Sequence, residues 1–194
     1  ITEIAKFAKY PSRIIGAHPY NPPHLIPLIE LSKGEKTDDK YIKFAKELFI
    51  DIKKEPIVLN KEALGFVANR IQAAVIREEL DLVLNGVVSI EDAEKAIVYG
   101  PGIRYAILGQ ILNFELGGGE HGIKGLIHHI GPSMELWLED MANWTKFPDE
   151  TLSALDEIDE VIKNRPVDIG NSKENLKEYR DKMLIEILKL HNKI

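Results

Sequence analysis

The sequence predicts a mainly α protein, a set of packed helices preceded by a short segment of α/β character. Three observations carry that expectation. From Thr37 onward apolar residues recur at helical spacing, whereas residues 1–31 break into brief apolar runs punctuated by proline. Apolar residues make up 44% and charged residues 29% of the 194, ordinary globular usage that excludes wholesale disorder.

In the first segment, Ile4, Phe7 and Ala8 suit the inner face of a short helix that Pro11-Ser12 ends. Arg13-Ile14-Ile15-Gly16 is a short strand candidate. The run His18-Pro19-Tyr20-Asn21-Pro22-Pro23 follows. Its three prolines forbid helix and central strand alike, so the chain must take a rigid, irregular path there. Residues 25–31 are apolar and extended, a second strand candidate.

Thr37-Asp38-Asp39 reads as a cap with first-turn acids, opening a helix whose inner face is Tyr41, Phe44, Ala45 and Leu48. Residues 56–59 form a short extended piece. Asn60 can cap a long helix with Leu64, Val67, Ile71, Ala74 and Val75 on one face, stopped near Leu84 by Asn85-Gly86. Ser89-Ile90-Glu91-Asp92 resembles a capping box that opens a helix to about Tyr99. Gly100-Pro101-Gly102 breaks the chain, residues 103–116 read as helix again, and helix is expected over 133–144. Residues 147–194 carry 19 charges in two amphipathic stretches, 150–163 and 173–193. These read as solvated helices packed on the body, or as a dimer contact through Leu176, Met183, Ile187 and Leu190.

Composition narrows the function. Zero Cys excludes disulfides, Cys-ligated zinc, iron–sulfur clusters and thiol catalysis. No apolar run approaches the ~18 residues of a membrane-spanning helix. With 25 Lys+Arg against 31 Asp+Glu the net charge is −6, which argues against a nucleic-acid partner. The expectation is a cytoplasmic protein acting on small molecules or proteins, away from membranes.

Gly117-x-Gly119-x-x-Gly122 matches a phosphate-loop pattern, but the segment before it has helical spacing and no succession of strands follows. It reads as a glycine-rich turn. His121, His128 and His129 lack the i, i+4 spacing of a helical zinc site, and no metal site is expected. His18 differs, because it stands where a strand meets a proline-rigidified turn, exposed yet fixed. An imidazole titrates near pH 6.5 in ordinary surroundings, which suits reversible proton transfer. Glu30 is a lone carboxylate in the apolar run Leu28-Ile29-Glu30-Leu31 and needs a partner. A His18–Glu30 pair would satisfy both; spacing alone fits equally a loop histidine and an unrelated edge-strand acid.

Gly16-Ala17-His18-Pro19-Tyr20-Asn21-Pro22, followed by Pro27-Leu28-Ile29-Glu30-Leu31, resembles the signature joining the two domains of L-3-hydroxyacyl-CoA dehydrogenases. Lys54-Glu55-Pro56-Ile57-Val58, Gly65-Phe66-Val67-Ala68-Asn69-Arg70, Ser89-Ile90-Glu91-Asp92-Ala93 and Gly100-Pro101-Gly102-Ile103-Arg104 match further motifs in the family's order. The resemblance covers roughly residues 1–145. Pro19 and Tyr20 replace two aromatics usual in the fatty-acyl enzymes, and Gln110 stands where Gly-Pro is common. The wording of residues 21–28 and of the charged tail 179–184 is more similar to the gulonate (lambda-crystallin) and carnitine dehydrogenase branches.

The resemblance implies an NAD-dependent oxidoreductase that oxidises a 3-hydroxyl to a ketone. The implied catalytic residues are His18 as base, Glu30 as its carboxylate partner and Asn69 at the substrate's reacting end; Asn21 would shape the substrate site. The expected substrate is a 3-hydroxyacyl-CoA, with a free hydroxy acid as the alternative. A non-catalytic helical dimerisation module is the alternative of another class. The implied fold is a helical bundle, like the C-terminal domain of 6-phosphogluconate dehydrogenase, preceded by a short α/β remnant of a Rossmann domain. Residues 1–31 would end that NAD-binding domain, 32–146 would form the substrate-binding and dimerisation domain of a homodimer, and 147–194 a helical extension. NAD would be held mainly by a preceding domain. The chain begins at Ile1 rather than Met and reads as cut from something roughly 100 to 150 residues longer, inactive by itself.

Overall fold

β2 (Leu28–Lys33) is the centre of a three-stranded sheet in the computed structural model, which describes all of residues 1–194. β1 (Ile15–Pro19) pairs with it antiparallel and β3 (Glu55–Val58) parallel. The alternation of β2 sorts its side chains. Ile29 and Leu31 pack with Ile42 and Ala45 of α2 (Asp39–Asp51), with Ile15 and Phe49 alongside, while Glu30 and Ser32 face the other way. All four central residues of β2 are buried, so Glu30 is a carboxylate taken wholly out of water.

Two compact units are present: Ile1–Ala73 with Glu174–Ile194, and Ala74–Lys173. In the first unit, β3 completes the sheet and α2 packs against it. α3 (Ala68–Leu84) starts in this unit and its later turns belong to the other.

Several local expectations for the first unit change. α1 (Thr2–Ala5) is a single turn, too short to carry the expected face; Ala5 is buried while Ile4 and Phe7 are exposed. β1 extends through His18 into Pro19. Proline is tolerated there, and at Pro56 of β3, because both strands are sheet edges. Asp38 caps α2 as expected, accepting from the Lys40 N–H at 3.2 Å. The buried face of α2 is rotated to Ile42 and Ala45, leaving Phe44 and Leu48 exposed. The helix expected from Asn60 begins only at Ala68, because Gly65 (φ +73°) and Phe66 (φ +52°) adopt left-handed backbone that a right-handed helix cannot contain. It ends at Leu84, as Asn85-Gly86 predicts. In α10 (Lys173–Leu190) the expected stripe divides: Leu176 and Ile187 are half-buried and Leu188 buried, whereas Met183 and Leu190 are exposed. Lys193 beyond it pairs with Glu55 of β3.

The second unit is helical. Ser89 Oγ accepts from the Asp92 N–H at 3.1 Å and so caps α4 (Ile90–Ile97), which runs on into a π-turn kinked at Gly100. The single helix expected over 103–116 is two pieces, α5 (Ile103–Tyr105) and α6 (Gln110–Gly117), with Gly109 as the N-cap of the second. α7 (Gly122–Asp140) is longer than expected and stops before Trp144, because the chain turns extended at Met141. The Ala142 N–H then donates to Glu78 at 3.0 Å and Trp144 Nε1 to Asp81 at 3.0 Å, both acceptors lying on α3. Short helices α8 (Thr151–Ala154) and α9 (Ile158–Lys163) follow. Leu80, Ile90, Ala93 and Ala142 are the buried apolar residues of this unit. No helix of the chain is long and apolar enough to cross a membrane.

Candidate active site

The antiparallel register of β1 and β2 sets His18 directly opposite Glu30. Side chains that face each other across such a rung project from the same side of the sheet. Here Nδ1 of the imidazole lies 2.8 Å from Oε2 of Glu30. The histidine side chain is one-third exposed (33%), the carboxylate not at all (0%). An ionised carboxylate can only accept, so Nδ1 carries a proton, and in the neutral imidazole Nε2 keeps a lone pair.

The other oxygen of Glu30 is equally committed. Oε1 accepts from the backbone N–H groups of Val67 at 2.8 Å and Ala68 at 2.9 Å. Burial pushes this carboxyl up, but the Ala68 N–H, the His18 side chain and the Val67 N–H together outweigh it and hold Glu30 below the usual carboxylate range. Hydrogen bonds to a charged group contribute about 1.5–3 kcal/mol each, enough for three of them to offset a buried charge's lost hydration in part or in full.

The amides reach Glu30 because the chain reverses through Gly65 and Phe66 just before α3. That reversal also lays the Phe66 ring over the imidazole, with centroids 5.0 Å apart and planes within 6°. The functional reading of the sequence had no place for Phe66, Val67 or Ala68 as individual contacts. The available signal was Gly65, a glycine inside an expected helix.

Asn69 is the residue after Ala68 and sits exposed in the first turn of α3. One turn further, Gln72 accepts a hydrogen bond from the Tyr20 hydroxyl, tying the segment after β1 to the start of α3. Asn21 is exposed beside Tyr20 and joins Pro22 through a cis peptide bond. Lys54 Nζ steadies the proline segment by donating to the carbonyls of Pro23 at 2.7 Å and Ile26 at 3.1 Å. His18 and Glu30 are thus in direct contact, and Asn69 and Asn21 lie on the two segments that adjoin them. Gly117–Gly122 does form a turn, joining α6 to α7 with Gly119 and Gly122 at positive φ; no strand precedes it.

Residues 1–63 match the family model of the 3-hydroxyacyl-CoA dehydrogenase NAD binding domain, and residues 65–164 that of the 3-hydroxyacyl-CoA dehydrogenase C-terminal domain. The chain belongs to the 3-hydroxyacyl-CoA dehydrogenase family. Among its relatives in that family, an L-carnitine dehydrogenase of Bacillus cereus is 35% identical over 189 residues, 94% of this chain and 54% of the relative. A 3-hydroxyacyl-CoA dehydrogenase of Gibberella moniliformis is 35% identical over 190 residues, 94% of this chain and 56% of the relative. The crystal structure of 5-formyl-3-hydroxy-2-methylpyridine 4-carboxylic acid 5-dehydrogenase, an NAD+-dependent dismutase, matches with a TM-score of 0.73 at 26% identity, over 98% of this chain and 59% of that one. The chain thus spans little more than half the length of these relatives. The two family models meet at residue 64, immediately before the Gly65–Ala68 turn that touches both His18 and Glu30.

Proposed function

We propose that this chain is the substrate side of an NAD-dependent oxidoreductase that converts the secondary hydroxyl of a free hydroxy acid to a ketone. The observation that carries the chemistry is the contact of His18 Nδ1 with a buried, ionised Glu30, which reserves Nε2 as a proton acceptor. NAD, when bound, supplies the acceptor for the hydride that leaves the carbinol carbon. The residues present fit the proton-handling half of that reaction: a part-exposed imidazole with a lone pair, backed by a carboxylate that keeps its charge.

His18 Nε2 takes the hydroxyl proton, and Glu30 holds the ring's tautomer and stabilises the imidazolium that forms. In the reverse direction the imidazolium protonates the forming alkoxide. Asn69 lies at the reacting end of the substrate as a hydrogen-bond partner for its oxygen, and Asn21 shapes the substrate site. The relatives named L-carnitine dehydrogenase support a free hydroxy acid in preference to the acyl-CoA expected from the motifs; the Gibberella relative keeps an acyl-CoA as the second reading. The helices of the second unit are assigned to the family's helical bundle. Its exposed apolar side chains on α6 and α7, Ile111, Leu112, Leu116 and Leu136 among them, support a homodimer.

The test measures NADH formation by the full-length protein from carnitine, gulonate and 3-hydroxybutyryl-CoA side by side. Turnover of a free acid with little from the thioester is expected; the opposite ranking would transfer the assignment to acyl-CoA. His18→Gln is expected to lower turnover about 10²-fold or more with NAD affinity nearly unchanged. Turnover near that of wild type would remove His18 from the mechanism and favour a non-catalytic module.

A further inference from the structure

We propose that Phe66 is a positioning residue that fixes the plane of the His18 imidazole. The inference rests on the reading of His18 as the base. The Cβ–Cγ bond and one hydrogen bond, from Nδ1 to Glu30, hold one edge of the ring but leave the opposite edge, with Nε2, room to tilt. The Nε2 lone pair lies in the ring plane, so a tilt of the ring swings the accepting orbital away from a substrate hydroxyl. A second constraint is needed on the ring's face. Phe66 supplies it, with its ring nearly parallel to the imidazole (6°) and centroids 5.0 Å apart.

The placement of Phe66 has a conformational cost. Its φ of +52° is in the left-handed region, which disfavours a side chain with a Cβ, and Gly65 before it is also left-handed at +73°. The turn holds because its next two amides, those of Val67 and Ala68, bond the carboxylate that in turn holds His18. The Phe66 N–H itself bonds back to the Ala63 carbonyl at 3.2 Å. One four-residue turn therefore grips the base from its face and the base's partner from behind. An aliphatic residue at 66 could fill the space without presenting a flat face, which separates positioning from packing.

The experiment compares Phe66→Leu and Phe66→Tyr in the full-length protein. Phe66→Leu is expected to lower kcat about tenfold, since small misplacements of a reacting group cost that much or more, with KM for the hydroxy acid and NAD affinity within about twofold. Phe66→Tyr, which keeps the ring, is expected to return kcat to within about twofold of wild type. Phe66→Met serves as the second ring-free variant if Phe66→Leu loses its cooperative melt. Wild-type kcat in the ring-free variant, a change confined to KM, or equal losses in the Leu and Tyr variants would each overturn the assignment. Proton NMR of the unsubstituted chain gives an independent readout: the His18 ring protons should resonate upfield of those of the exposed His24 through the Phe66 ring current. Coincident shifts would overturn the stacked arrangement. If His18→Gln keeps its turnover, the reading of the base fails; if it loses turnover and Phe66→Leu does not, only the role of Phe66 fails.

Discussion

Glu30 meets the backbone N–H of Val67 at 2.8 Å across 37 positions of sequence, with the carboxylate oxygen that His18 does not use. The two oxygens have separate duties. Oε1 anchors the turn that leads into α3, and Oε2 fixes the imidazole.

That division predicts different outcomes for two substitutions at one site. In Glu30→Gln the amide oxygen can still accept from Val67 and Ala68, so its NH2 group faces Nδ1 and forces the proton onto Nε2, the wrong tautomer for a base. Turnover should fall on the order of 10²-fold or more, while the urea midpoint changes little. Glu30→Leu leaves two part-buried backbone donors without their acceptor and should cost about 2–5 kcal/mol of stability by urea denaturation. Equal midpoints for the two variants would contradict the separate duties of the oxygens.

Acid should undo the same arrangement. Glu30 is held below its ordinary value of 4.5 in the folded chain, so folding favours its charged form. The stabilisation is complete above about pH 4.5 and declines as pH falls through that value and then through the lower native one. Urea midpoints measured from pH 6 down to pH 3 (about the accessible range) should fall more steeply for wild type than for Glu30→Gln, which has no proton to take up there. Parallel slopes would mean that Glu30 titrates alike in the folded and unfolded chain.

The exposed apolar side chains of α6 and α7 predict self-association. Sedimentation of the chain should give a species of about twice its 21.9 kDa. Ile111 and Leu116 are 72% and 71% exposed, so Ile111→Glu and Leu116→Glu should yield monomers with an unchanged fold by circular dichroism. A wild-type chain sedimenting as a monomer would refute the dimer.

Much of this was legible in the residues, for identifiable reasons. Asp38 and Ser89 announce their helices because a cap is a local interaction, settled within four residues. His18 and Glu30 are visible as a strand-end histidine and an acid in an apolar run; the sheet register that brings them face to face requires both strands. The late start of α3 was not legible. Residues 60–67 have a helical pattern of apolar side chains, and what holds them out of the helix is a carboxylate more than thirty positions upstream that captures the amides of Val67 and Ala68. Trp144 likewise reads as helical until Asp81 draws it out of the helix. Long-range hydrogen bonds to acidic side chains decided these cases, and such bonds leave no trace in local periodicity.

The turn at 65–68 also bears on when the site exists at all. Local stability varies along a chain, and segments at the junction of elements open more readily than the strands of a sheet. If Val67 and Ala68 release Glu30, the carboxylate loses two of its three partners and the imidazole its flat neighbour, even with β1 and β2 still paired. On the proposed role of His18, a movement confined to these four residues would disarm the proton acceptor. Readiness for chemistry and the closed state of this turn are, on that basis, one equilibrium.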